Sequence, residues 1–371
     1  MIEKSQTENE NIIMAIPYDL LKTNYSHMKN SFSRRNFVRT TAIAGAALAF
    51  TSKSAAAFIK NDFTEGKRVG IIGLDTSHCI AFAKALNDPN AGTQFAGYQV
   101  VAAYPTAGSR DLPSSINRLA GFTEQVRQQG VVIVGSIEEL LKKVDVVLLE
   151  TVDGRKHLEQ ALPVLKAGKR LFIDKPISAS LRDAIAIFNA AEKYNVPVFS
   201  SSSLRYMESV QEVVQGKIGK VLGADTYSPA ILEKTHPDFF WYGIHGVEIL
   251  YTVMGKGCKS VVRVHSEGTD IVVGTWEDGR IGTFRGTRTG KHDYGGTVFG
   301  EKDEICLGKF GGYDTLLIQI IDFFSTGKVP VNPSETIEIC AFMEAADESK
   351  LKGGVSVDLE TLMQRAKKSK G

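Results

Sequence analysis

The chain has 371 residues, with 44 Lys/Arg against 42 Asp/Glu and a formal net charge of +2. So even a balance implies no basic surface for nucleic acid or anionic lipid. The cysteines, Cys79, Cys258, Cys306 and Cys340, lack CxxC or metal-site spacing and read as free thiols.

In chain order, residues 1–57 read as a leader. "SRRNFVR" (Ser33–Arg39) precedes the mild apolar run "TAIAGAALAF" (Thr41–Phe50), then Lys53 and "SAAAF". Paired arginines, a short Ala/Gly-rich run and small residues at a cleavage site are the order of a twin-arginine export signal. The run falls far short of the ~20 residues that span a bilayer, so no membrane anchor is expected after cleavage. "MKNSFSRRNF" makes the better start of such a signal, which places the expected true start at Met28. The leader carries seven Lys/Arg and four Asp/Glu, leaving the mature part near −1. A periplasmic protein, exported already folded, is the expectation.

Residues 65–203 alternate short β-branched runs with helical stretches. The strands are "RVGIIGL", "YQVVAAY", "VVIVG", "VDVVLLET", "RLFIDK" and "PVFSSS". The helices are expected over 78–87, 114–129, 137–143, 155–167 and 181–194. Continuous apolar strands between amphipathic helices specify a parallel sheet covered on both faces. The result is a doubly wound, Rossmann-type fold with ligands outside the carboxyl ends of the strands. Residues 204–359 change texture: a helix in "YMESVQEVVQG", a strand near "VLGADTY", a helix over 240–254, then strands in quick succession. The hairpin signal Asp278-Gly279 lies among them. This part reads as α+β with a large open, mainly antiparallel sheet, giving an α/β chain overall. Two late helices, 313–325 and 334–350, are expected to pack back on the first domain, and 360–371 reads as a tail.

Three stretches resemble, in order and spacing, the glucose-fructose oxidoreductase / inositol dehydrogenase (Gfo/Idh/MocA) family. They are the strand-glycine opening Val69–Gly73, "HLEQALPVLKAGKRLFIDKP" (His157–Pro176), and "GIHGVEILYTVMG" (Gly243–Gly255). The tail "ETIEICAFMEAADESKLKGGVSVDL" is similar to that family's last helix and strand. The resemblance implies an oxidoreductase holding NAD or NADP and acting on a carbohydrate, cyclitol or glycoside, as a homo-oligomer. It implies catalytic roles for Lys175, which would steady a developing alkoxide, and His245, a general base. Cofactor contacts are expected from Gly73, Leu74, Asp75, Thr76, His78, Glu150, Asp153, His157, Asp174 and Lys175. Arg205, Trp241 and Tyr242 are expected to shape the substrate pocket, and no residue is assigned to a metal.

The pattern departs from the family at two places. Trp241 stands where an aspartate supports the histidine, and Glu248 follows it in place of a second aspartate. In the cofactor loop, Asp75 and His78 replace the second and third glycines of Gly-x-Gly-x-x-Gly. Asp75 would face a diphosphate unless it turns away to cap the next helix. No acid follows the second strand to hold a ribose; Gly108-Ser109-Arg110 there suits a 2′-phosphate. Alternative readings are a redox-neutral glycosidase that keeps its NAD, or a cofactor-free or metal-dependent hydrolase. The latter would use Asp75, His78, Glu150, Asp153 and Asp174, which share one edge of the sheet. A non-catalytic sugar-binding protein would leave Lys175 and His245 without a task.

Overall fold

The structure is a computed structural model that describes residues 66–368; the leader and the start at Met28 lie outside the described residues. The first half of the described chain runs β1 (Arg68–Ile72), α1 (Ser77–Asn87), β2 (Gln99–Tyr104), α2 (Pro113–Gln128), β3 (Val132–Ile133), α3 (Ile137–Leu141) and β4 (Val146–Leu149). It continues through α4 (His157–Lys166), β5 (Leu171–Asp174), α5 (Leu181–Lys193) and β6 (Val198–Ser201). These six strands pair in the order β3-β2-β1-β4-β5-β6, all parallel. β4, β5 and β6 are buried at every position, as expected of strands covered on both faces. The chain reverses its direction of travel across the sheet between β1 and β4. A crevice therefore opens outside their carboxyl ends, where doubly wound folds bind ligands.

The remainder comprises α6 (Glu208–Val214), β7 (Val221–Pro229), α7 (Ile244–Met254), β8 (Cys258–His265), β9 (Thr269–Trp276) and β10 (Ile281–Thr287). β11 (Gly295–Gly300), β12 (Glu304–Leu307), α8 (Asp314–Thr326), α9 (Pro333–Leu351), β13 (Val357–Asp358) and α10 (Leu359–Lys368) complete it. The second sheet has the order β12-β11-β7-β10-β9-β8-β13. It is antiparallel except where β7 lies parallel to β10. Burial alternates along β7, β8, β9 and β10, so one face is covered and the other open.

α8 packs back on the parallel sheet as expected, its Leu316, Ile320 and Phe323 sharing one apolar cluster with Val69 and Ile71 of β1 and Phe82 of α1. α9 lies along β8 and also packs against α5 and β6 of the first half, as expected. A second apolar cluster runs without a break from Val147 of β4 to Val272 and Trp276 of β9. The tail expected at 360–371 is corrected to a helix through Lys368. Its buried face is only Leu359 and Leu362, an apolar signal too thin to stand out among its charges.

Candidate active site at the edge of the parallel sheet

β1 ends in Gly73, which turns the chain at φ 89° and packs so closely that a Cβ there would strike the backbone of Thr151 beyond β4. Only glycine serves at such a turn. Asp75 does not cap α1. Its Oδ1 accepts from Val152 N at 2.9 Å and its Oδ2 from Ser115 Oγ in the first turn of α2. The N-cap of α1 is Thr76, whose side chain makes no capping bond. Burial pushes the Asp75 carboxyl above its ordinary range.

Asp153 is a second clasp. It accepts from Ser109 Oγ, from Arg155 Nε at 2.9 Å and Nη2 at 2.7 Å, and lies 3.1 Å from His236 Nε2. Burial opposes ionisation, but these partners outweigh it and hold the carboxyl well below the usual range. Arg155 also grips Asp111 through two bonds of 2.8 Å, tying the loop after β2 to the loop after β4. His157 bridges Thr151 O (2.7 Å) and Ile177 O (3.1 Å), so it spaces the loops after β4 and β5 and has both ring nitrogens engaged on backbone.

Three chemically open side chains remain at this edge. His78 from the first turn of α1, Glu150 just past β4 and Asp174 ending β5 are all buried. Burial, and then the neighbouring Asp174, push the Glu150 carboxyl well above its ordinary range. For Asp174, burial is outweighed by His78 and Lys175, and the carboxyl is held low. Lys175 follows directly, its Nζ 3.9 Å from Asp174 Oδ2.

His245, on the first turn of α7, meets this edge from the other half of the chain. Burial, then the positive influence of Lys175 and His78, keep its imidazole well below the ordinary 6.5. Its Nδ1 lies 2.8 Å from Ser202 Oγ, and its ring packs edge-on to Tyr242 and Tyr294, whose hydroxyls meet at 3.1 Å. Tyr313, at the start of α8, sets its ring 4.5 Å from that of His78. Tyr242 thus lies against His245. Trp241 sets its ring against that of His236, centres 5.0 Å apart and planes tilted at 49°. Arg205 and Glu248 are placed elsewhere in function. Arg205 Nε donates to Glu248 at 3.0 Å and Nη2 to Glu335 at 2.6 Å, so its guanidinium braces α7 against α9 instead of facing a substrate. Ser202, His236, Tyr294 and Tyr313 were missed by sequence reading; each matters through a partner far away in the chain, and none carries a motif.

A Rossmann sheet whose open edge gathers a lysine, a histidine and two carboxylates is the layout of a nucleotide-dependent enzyme. Residues 67–202 match the family model of the Gfo/Idh/MocA oxidoreductases, described as an oxidoreductase family with an NAD-binding Rossmann fold. That segment is thus similar to the NAD-binding domain of those oxidoreductases. No curated protein matches the sequence. Among solved structures, a "probable dehydrogenase from Thermotoga maritima" is similar at 21% identity and TM-score 0.65, covering 79% of this chain and 99% of that one. The scyllo-inositol dehydrogenase of Lactobacillus casei, solved with NAD(H) and scyllo-inositol, gives 16% identity, 79% and 99% coverage and TM-score 0.63. The myo-inositol 2-dehydrogenase of Lactobacillus plantarum gives 18%, 78% and 98%, and 0.63. The described chain as a whole shares their fold.

The residues present fit the dinucleotide that such a fold implies. Thr76 Oγ1 and Thr151 Oγ1, at the crevice between β1 and β4, are buried and have no hydrogen-bond partner among the described residues. Phosphate oxygens would satisfy such hydroxyls, and the amides of the first turn of α1 favour an anion. Asp75 has both carboxylate oxygens engaged, by Ser115 and Val152. Beside the clasp opens a cleft of about 500 Å³ lined by Gly108, Ser109, Arg110, Asp111, Arg155 and Lys156. Its size suits a small ligand, and its cations suit a phosphorylated one.

Proposed function

We propose that this protein is an NAD(P)-dependent oxidoreductase of the Gfo/Idh/MocA type that acts on a secondary alcohol of a sugar or cyclitol and keeps its cofactor tightly bound. The observation that carries the reading is the convergence at this sheet edge of Lys175, directly after β5, and His245, in the first turn of α7, with burial and then the lysine's charge holding the imidazole pKa below its ordinary value. Gly73, Thr76 and Thr151 would hold the diphosphate, and Arg110 the ribose end. When bound, the nicotinamide supplies the acceptor for a hydride. Lys175 donates a hydrogen bond to the substrate oxygen and stabilises negative charge on it. His245, in the tautomer that donates Nδ1–H to Ser202 Oγ, offers Nε2 as proton acceptor. Tyr242 and Tyr294 border the substrate side.

Export of the folded protein to the periplasm by the twin-arginine route is part of the same reading, supported by Arg34-Arg35 before the short apolar run. A compartment poor in free nucleotide favours a cofactor that never leaves. Natively purified, denatured protein is expected to release roughly one NAD(H) or NADP(H) per chain. Recovery of none, with no thermal shift on adding either nucleotide, sinks the reading. Lys175→Ala and His245→Ala should each lower turnover of an identified polyol by about 10²–10⁴-fold. Lysine at both Arg34 and Arg35 should leave precursor in the cytoplasm; mature protein still reaching the periplasm would rule out this route.

A further inference from the structure

The sequence groups five side chains at the carboxyl edge of the parallel sheet, and the structure divides them. Asp75 and Asp153 are saturated by Ser115, Val152, Ser109 and Arg155. His78, Glu150 and Asp174 are not. One donor atom from each lies within 4.8 Å of the others. Among the described residues, neither oxygen of Glu150, nor Asp174 Oδ1, nor His78 Nδ1 has an aligned hydrogen-bond partner. Glu150 is fully buried and Asp174 is 2% exposed. A buried carboxylate without a hydrogen-bond partner, as at Glu150, is relieved by protonation, by a counter-charge or by a metal.

The spacing argues for a metal. His78 Nδ1 is 3.0 Å from Asp174 Oδ2 and 3.8 Å from Glu150 Oε2. The shorter of these is a hydrogen-bond distance without hydrogen-bond alignment, as when two groups point at a common third point. Ligands bonded at ~2.1 Å to one small cation and at right angles to each other stand ~3.0 Å apart. His78 stands in the first turn of α1, Glu150 one residue past β4 and Asp174 at the end of β5, and all three are buried, so the fold holds them close to one another.

We propose that His78, Glu150 and Asp174 bind one divalent transition-metal cation at the crevice between β1 and β4. One imidazole and two carboxylates suit Mn²⁺, Fe²⁺, Co²⁺ or Zn²⁺; the imidazole disfavours Ca²⁺ and Mg²⁺, and the absence of sulfur from this set disfavours Cu⁺. Three protein ligands leave coordination positions for water or for paired hydroxyls of a polyol. Cys79, adjacent to His78, is not a ligand: its thiol hydrogen-bonds to Thr76 O. The site does not depend on the oxidoreductase reading, because it exists in the resting protein without nucleotide or substrate.

The test uses untagged full-length protein, stripped with a chelator and titrated separately with MnCl₂, CoCl₂ and ZnCl₂. The expected result is one equivalent bound per chain, a rise in thermal midpoint that grows with metal concentration, and a visible Co²⁺ absorption band. Glu150→Gln and Asp174→Asn should each weaken binding at least tenfold, whereas Asp153→Asn should not. Wild-type protein that binds under a tenth of an equivalent, without a Co²⁺ band, overturns the proposal whatever the variants do. Wild-type affinity in folded Glu150→Gln would overturn it equally.

Discussion

Asp75 occupies the position where a second glycine would let a diphosphate approach, yet its carboxylate is turned to Ser115 and Val152. Removing it leaves Val152 N–H and Ser115 Oγ without their partner in a buried setting. Asp75→Ala is therefore expected to cost about 1–3 kcal/mol of stability, read from the urea midpoint. No change would mean that the clasp contributes nothing. His245 carries a pH signature. Its folded pKa lies below 6.5, so below pH 6.5 the unfolded chain takes up a proton that the folded chain refuses. Stability should fall as pH drops through 6.5 towards the folded pKa, and His245→Gln should flatten that part of the curve. Activity should hold level from neutral pH through 6.5. An acid limb centred at 6.5 or above would contradict a buried, neutral base. That these two residues mattered could be read from their places after the first strand and on the helix near 245. Which of them is tied and which is open could not, because Ser115 and Ser202 lie far from any motif and act only once the chain is folded.

At the scale of elements, α7 depends on a missing side chain. A Cβ on Gly246 would meet the ring of Phe284 on β10 and Ser228 Oγ on β7 at 2.9 Å. The helix that carries His245 thus rests directly on the second sheet, and Gly246→Ala should destabilise by about 1–3 kcal/mol through overpacking. Unaltered chemical denaturation would show that the contact yields cheaply. The other face of that sheet is open. Phe299 and Ile281 lie on either side of Gly223 across β11, β7 and β10, with Tyr227 further along β7, and all three side chains are largely exposed. We propose this face as a homo-oligomer interface, in which case Ile281→Lys should lower the mass found by light scattering, and an unchanged mass would place the interface elsewhere. The strands of both sheets were legible from their apolar runs and alternation. β13 was legible only through the family resemblance: two residues make no period, and its pairing with β8 is a long-range event.

Across the whole molecule, the apolar face of the parallel sheet is finished by a late arrival. α8 begins about 110 residues after β6 ends, yet Leu316, Leu317, Ile320, Ile321, Phe323 and Phe324 share the cluster built on β1 and α1. A chain emerging from the ribosome therefore holds six completed strands with that face bare, for on the order of ten seconds at ordinary synthesis rates. Residues 66–202 produced alone should be insoluble, and a soluble, cooperatively unfolding fragment would refute this. Burial of this face accordingly waits until α8, at residues 314–326 of 371, has been synthesised. Any factor that must capture the chain unfinished has that interval, and one that demands a finished protein must wait it out.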